Sequence, residues 1–455
     1  MTVHSAKVAI VGAGMSGIAA AYYLSKDHGI NDVVLIDAGQ PMASTSAQSG
    51  ENYRNWWPHE AMVAFIDRSI DLMEEIARAT NNRINLTRRG YVLATRNRDI
   101  DQLQLELQTG LGADANELLR FHSRAASATY QPPHKPDWDT APTGVDILQN
   151  RSLIREVFPS YDPEIQTVVH IRRGGDLSGQ QLGMHMLEAC CSAGGRLLTG
   201  SVNSIRHLDG YTLEISTSDG PMTVAAEQVV NAAGPFAGNI AELLGVSLPL
   251  HNVLQQKIAF EDSAAAIPRE MPFSIDLDRQ LIDWTDEERE VLREDPELSW
   301  VAEEFPGAIH CRPDGGDRGT WVKLGWAFND RPEVATWEPV LHDQFPELVL
   351  RGAARLNPSL KAYYGRLPRN MHHYGGWYTM TDENWPLIGP MGPPGAYMTC
   401  AQSGFGTMAA CAGGELCAAW IAEAERPAYA DALSMARHND AAFMDRLRNL
   451  DKGIL

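Results

Sequence analysis

Apolar residues near the start of the chain form two short unbroken runs with a longer helical stretch between them. Residues 7–10 (KVAI) predict a buried strand, 15–24 (MSGIAAAYYL) a helix of small and apolar side chains, and 33–36 (VVLI) a second buried strand. Strand, helix and strand within about 30 residues make a βαβ unit. Residues 41–50 (PMASTSAQSG) read as loop. A helical period returns over 58–79, with Met62, Phe65, Ile66, Leu72, Met73 and Ile76 on it, and 91–95 predicts a strand. Further helices are expected over 101–124, 182–191 and 408–422, with a proline-rich loop at 132–143. Strands are expected at 196–199, 211–216 and 228–232. The last of these runs into Ala232, Ala233, Gly234 and Pro235.

Residues 319–326 (GTWVKLGW) alternate strictly: Val322, Leu324 and Trp326 on one side, Trp321, Lys323 and Gly325 on the other. A lysine in such a strand ordinarily guards a sheet edge against aggregation. Residues 261–307 are acidic, and Thr285 with Glu288 forms a capping box that starts a helix. This segment reads as a surface-lying helical insertion; a lid, an oligomer contact and a solvated decoration all stay open.

The chain has 455 residues, which suggests two domains. No run reaches the roughly 18 apolar residues of a membrane helix. The start lacks a basic segment followed by an apolar signal core, so a cytoplasmic location is expected. The net charge of −20 argues against nucleic acid and anionic membrane as partners. The six cysteines show no metal-type spacing, so no metal is expected and reduced thiols are.

The first turn carries chemistry. Gly12, Gly14 and Gly17 form a GxGxxG pattern between strand and helix, and Asp37 ends the second strand about 20 residues on. Gly12 makes the tight turn, Gly14 admits a pyrophosphate, and Gly17 lets helix and strand pack closely. The helix start at Met15 and Ser16 offers N–H groups to phosphate. Asp37, followed by Ala38, can accept hydrogen bonds from ribose hydroxyls. The pattern alone does not choose between NAD and FAD. Glycine segments late in the chain, at Ala233–Gly234 and Gly404–Gly406, favour a large cofactor held by both ends of the sequence.

Three further segments, 229–245 (VVNAAGPFAGNIAELLG), 379–390 (TMTDENWPLIGP) and 401–421 (AQSGFGTMAACAGGELCAAWI), resemble the D-amino-acid oxidase, glycine oxidase and sarcosine oxidase family. The resemblance implies an α/β fold: a discontinuous Rossmann-like FAD-binding domain (1–85, 152–247 and 366–455) plus an α+β substrate domain with a mixed or antiparallel sheet (86–151 and 248–365). It implies oxidation of a small-molecule amine or amino acid, with dioxygen as electron acceptor. A dehydrogenase using another acceptor, and a flavin-bearing subunit of a larger complex, are the alternatives; homo-oligomerisation stays open.

The resemblance also assigns residues. Lys323, in a stretch similar to the Lys-Leu-Gly-aromatic segment of monomeric sarcosine oxidase, is expected over the flavin to promote reaction with oxygen. Gly376 stands where that enzyme has its flavin-bonding cysteine, so noncovalent FAD is expected. Ser44, Thr45 and Ser46 are candidate phosphate or ribitol donors; Gln48, Ser49 and Gly50 are expected to approach the ring. Val202 is expected at the adenine. Gly404, Phe405, Gly406 and Thr407 are expected at the flavin ring. Arg54 is a candidate carboxylate clamp, and Trp56, His373, Tyr378 and Trp326 are candidate substrate contacts.

Overall fold

The computed structural model describes residues 3–123, 130–133, 138–316 and 318–449. The parts of the expected 101–124 helix and 132–143 loop at 124 and 134–137 lie outside these residues.

The predicted βαβ unit starts an eight-stranded sheet. Val3–Val11 lies at its centre, parallel to Val33–Asp37 on one side and to Gly220–Asn231 on the other. Arg196–Thr199 extends it beyond Val33–Asp37. The long strand Gly220–Asn231 serves two neighbours: its first part pairs antiparallel with Gly210–Thr217, its last part parallel with Ala396–Cys400. Helices Met15–His28, Glu60–Ala79, Gly179–Ser192 and Gly406–Ile421 cover one face. Small residues let the helices approach closely: a Cβ on Gly414 would lie 2.5 Å from the Ala19 backbone.

The second sheet has ten strands and is mixed. His251–Glu261 pairs antiparallel with both Trp321–Trp326 and His372–Met380. Ile309–Asp314, Phe273–Asp276, Tyr91–Thr95, Thr167–Ile171, Val145–Leu148 and Leu119–His122 follow in order. One face packs on helix Phe345–Leu356 through Ile258, Leu324, Trp326 and Val349. Part of the other face looks toward the first sheet.

Several expectations shift. Thr167–Ile171 and His372–Met380, expected in the cofactor-binding part, pair in the second sheet. The 101–124 pattern resolves into helices Asp101–Leu111 and Ala115–Leu118 and then strand Leu119–His122, because the stretch turns through Gly112 at φ 57°. The Thr285–Glu288 capping box forms, but its helix is the short Asp286–Glu294. The acidic segment is not all surface: Phe273–Asp276 is a buried strand inside the second sheet. Lys323 is not on an edge, since its strand has a partner on each side. Among the described residues, no helix is long and apolar enough to cross a membrane.

Candidate functional site

A groove runs between the carboxyl ends of the first sheet and the second sheet. At one end lie Asp37, Ala38 and Val202. Its middle is formed by Gly12 and Gly14, by Ser44, Thr45 and Ser46, and by Ala233 and Gly234 opposite. The groove continues into a second cavity bounded by Met15, Ser16, Gln48, Ser49, Gly50, Gly404, Gly406, Thr407 and Tyr378. Both cavities share Gly14, Thr45, Ser46, Ala232, Gly234 and Pro235, so the path is continuous.

The glycine turn is built for close approach. Gly12 has φ 111°, and a Cβ there would lie 2.2 Å from the Ala232 carbonyl oxygen. Gly17 does not line the groove; its missing side chain lets the helix sit against the Gly12 carbonyl, where a Cβ would be 2.0 Å away. Asp37 accepts N–H hydrogen bonds from Ala13 at 2.6 Å and from Gly39 at 2.8 Å, so it fastens the turn as well as lining the groove. The N-cap of helix Met15–His28 is Gly14, which has no side chain to cap it; Ser46 Oγ accepts the Met15 N–H at 3.1 Å, and the positive end of the dipole is left for an anion.

The residues fit a long dinucleotide with a polar ring. Thr399 Oγ1, both amide atoms of Gln402 and Ser403 Oγ line the far cavity's wall or lie just behind it, buried without hydrogen-bond partners. Buried polar atoms ordinarily have partners, and a heteroaromatic ring edge supplies them. Ala401 and Ser403 in this wall and Glu51 beside it have positive φ, between 46° and 58°. Strained backbone of this kind gathers at functional sites. Helix Gly406–Ile421 points its uncapped start at the same cavity.

A third, smaller cavity adjoins the ring end. Its walls are Tyr91, Phe273, Ile275, Phe405, Met408 and Tyr378, with Asn52, Glu51, His310 and Lys257 as polar members. Lys257 borders both this cavity and the ring cavity. It is 6% exposed, and among the described residues no carboxylate lies within ion-pair distance of it. Its ammonium lies 5.4 Å from the centre of the Tyr378 ring. Burial, followed by the charge of Lys257, lowers the pKa of His310 to about 3. The imidazole is therefore neutral at physiological pH.

Several expected site residues stand elsewhere. Lys323 lines neither cavity: its ammonium is 2.8 Å from Glu51 Oε2 and 3.4 Å from Asp314 Oδ1. Arg54 is fully buried behind Tyr91, donating to the Tyr91 hydroxyl at 2.7 Å and to the Trp56 carbonyl at 3.2 Å. It is sandwiched against Trp57 and Tyr91, so its fork does not reach the cavity. Trp56 packs in the core around Tyr91 and Leu107. Trp326 lies on the core face of its strand, its indole N–H donating to the carbonyls of Pro306 and Gly307. His373 faces the same core, stacked on Phe345 with its Nε2 bonded to Gln256.

Strand parity explains these placements. Lys323 and Gly325 share one face with Lys257, Tyr374, Gly376 and Tyr378, while Val322, Leu324, Trp326 and His373 point to the other. Parity alone therefore excludes Trp326 and His373 from the cavity. The residues the sequence reading missed, Lys257, His310, Asn52, Tyr91, Phe273 and Ile275, sit in segments without motif character. Their one signal is the same period-2 rule applied across paired strands, which needs the register.

The family model described as FAD dependent oxidoreductase (DAO) matches residues 7–420. Human mitochondrial dimethylglycine dehydrogenase is 23% identical over 279 residues, 60% of this chain and 28% of that protein. Sarcosine oxidase subunit beta of Rhodobacter capsulatus is 21% identical over 250 residues, 55% of this chain and 54% of the subunit. The matched region thus spans about half or less of these curated relatives. Among solved structures, glycine oxidase from Geobacillus kaustophilus superposes with a TM-score of 0.70 at 19% identity, covering 96% of this chain and 99% of that one. L-proline dehydrogenase from P. horikoshii gives 0.70 at 16% identity, covering 96% and 98%.

Proposed function

This chain belongs to the FAD dependent oxidoreductase family, and from that premise we propose that it oxidises a carbon–nitrogen bond of a small amine or amino acid, with dioxygen taking up the electrons as hydrogen peroxide. Bound FAD supplies the acceptor for a hydride from the substrate carbon and the donor to oxygen. The chain's own residues supply position, dryness and charge.

The groove from Asp37 to Thr407 holds the cofactor, with the glycine turn at its pyrophosphate and the start of helix Gly406–Ile421 at its ring. Gly376 borders the ring cavity and offers no side chain for a covalent link. Cys400, which also borders it, has its thiol pushed up to about 12 by burial and stays protonated. Both favour noncovalent FAD. The aromatic cavity holds a small substrate with its reacting carbon toward the ring and excludes water while it reacts. The resulting imine hydrolyses once water reaches it.

The observation that carries the oxidase reading is the uncompensated charge of Lys257 at the junction of the two cavities. A fixed cation in a dry site stabilises negative charge developing on dioxygen. Lys323, paired with Glu51, acts on the site through that carboxylate.

The test is anaerobic mixing of the holoenzyme with primary and secondary amines and with both enantiomers of amino acids, followed by admission of air. Bleaching of the flavin by at least one of them, and rapid recovery in air with hydrogen peroxide formed, is expected. Bleaching with recovery only on adding a separate electron acceptor would make the protein a dehydrogenase. An unbleached flavin across the panel would contradict amine oxidation altogether.

A further inference from the structure

Resting on the amine-oxidising reading, we propose that Nε2 of His310 accepts a hydrogen bond from the substrate's amine N–H, and that this cavity takes the neutral amine in preference to its ammonium form. His310 borders the small cavity, and nothing in the mechanism above uses it.

Three strands set its position. His310 stands opposite Gly325, and Gly325 stands opposite Lys257. A Cβ on Gly325 would lie 2.3 Å from His310 Nε2 and 3.1 Å from Lys257 Cγ. The glycine therefore makes room for both side chains at once. The imidazole packs on Phe273, with ring centres 5.0 Å apart.

The other ring nitrogen fixes the tautomer. Nδ1 lies 3.3 Å from the Ala308 carbonyl oxygen, an acceptor, so Nδ1 carries the proton. Nε2 is left as a lone pair, and no described residue donates to it. His310 is half-buried in the cavity wall, and an acceptor there without a protein partner is matched by a donor on the occupant once the occupant has displaced water.

The charges around it favour a neutral donor. Lys257 and Arg312 lie on the same sheet face. Tyr378 borders the cavity, and Tyr91 lines it with its ring while its hydroxyl accepts from Arg54 behind it. Glu51 is the carboxylate in the cavity wall, and it is engaged by Lys323, by Arg312 and by the Gly179 N–H. An ammonium ion entering here meets a free cation at Lys257 and no free anion among the described residues. A neutral amine meets a lone-pair acceptor and keeps its own lone pair available to assist departure of the hydride.

The experiment uses the holoenzyme and its His310→Phe and His310→Gln variants, each checked for full flavin content. Anaerobic flavin reduction is followed with the best amine from the screen and with its counterpart lacking any N–H. His310→Phe is expected to lower reduction efficiency with the N–H amine on the order of tenfold to a hundredfold, with partial recovery in His310→Gln. The amine without N–H should react alike in wild type and His310→Phe. In ¹⁵N NMR, the His310 signals should show Nε2 unprotonated from pH 5 to 8 and should move when the amine binds. Wild-type behaviour of His310→Phe with the N–H amine, or a protonated Nε2 in the resting enzyme, would overturn the proposal while leaving amine oxidation standing. A wild-type flavin that no amine bleaches would overturn both.

Discussion

The ammonium of Lys323 lies 2.8 Å from Oε2 of Glu51, and Oε1 of the same carboxylate accepts the Gly179 N–H at 3.0 Å. Lys323 thus secures a left-handed residue, Glu51 at φ 58°, in the wall of the small cavity. Lys323→Met is expected to destabilise the holoenzyme by about 1–3 kcal/mol, because Oε2 of Glu51 keeps only the longer contact to Arg312, at 3.5 Å. Denaturant titration followed by flavin release measures this, and Glu51→Gln in the same chain should return part of the loss.

Asp37→Ala should weaken FAD binding more than it weakens the fold. The substitution removes an acceptor for ribose hydroxyls and frees the Ala13 and Gly39 N–H groups. Hydrogen bonds to a charged group contribute about 1.5–3 kcal/mol each, so a loss of at least tenfold in affinity is expected. Titrating apoprotein with FAD by flavin fluorescence gives the number.

Gly12→Ala should give a protein without cofactor. The new Cβ meets backbone at 2.2 Å, and φ 111° is strained for alanine. Backbone cannot yield as a flexible side chain can. An absorbance spectrum of the purified protein decides this, and a normal flavin spectrum would count against the placement of the turn.

Acid should destabilise the protein earlier than its carboxylates require. His170 is buried and His310 half-buried, and desolvation lowers both below the ordinary histidine value of 6.5, His310 to about 3. Their folded pKa values are depressed, so below 6.5 the unfolded chain binds protons that the fold does not. Their contribution is complete above that pH and is lost as pH falls through the interval toward the folded values. Denaturation midpoints should therefore decline from pH 7 to pH 5, and His310→Phe should flatten part of the decline.

Much of the cofactor end was legible in the sequence because its chemistry is local. The turn Gly12–Gly17, the acid Asp37 and the loop from Ser44 to Gly50 each sit within one continuous segment, and the structure brings the loop, Asp37, Gly12 and Gly14 to one groove. The substrate end was not. Lys257, His310, Phe273 and Tyr378 converge from four strands, and their meeting depends on pairings such as Lys257 with Gly325 and His310 with Gly325. Lys323 stood out because of its motif, yet the structure turns its charge to Glu51. The chemistry of Arg54 and Trp56 suggests pocket residues, but they form the packed layer behind Tyr91.

In the proposed reaction Lys257, rather than Lys323, is the cation that serves oxygen. Stopped-flow reoxidation of the fully reduced protein by air-saturated buffer, in wild type, Lys257→Met and Lys323→Met, tests it most directly. Reoxidation on the order of a hundredfold slower in Lys257→Met, with Lys323→Met close to wild type, is the predicted result. Slow reoxidation in Lys323→Met with Lys257→Met unchanged would contradict it.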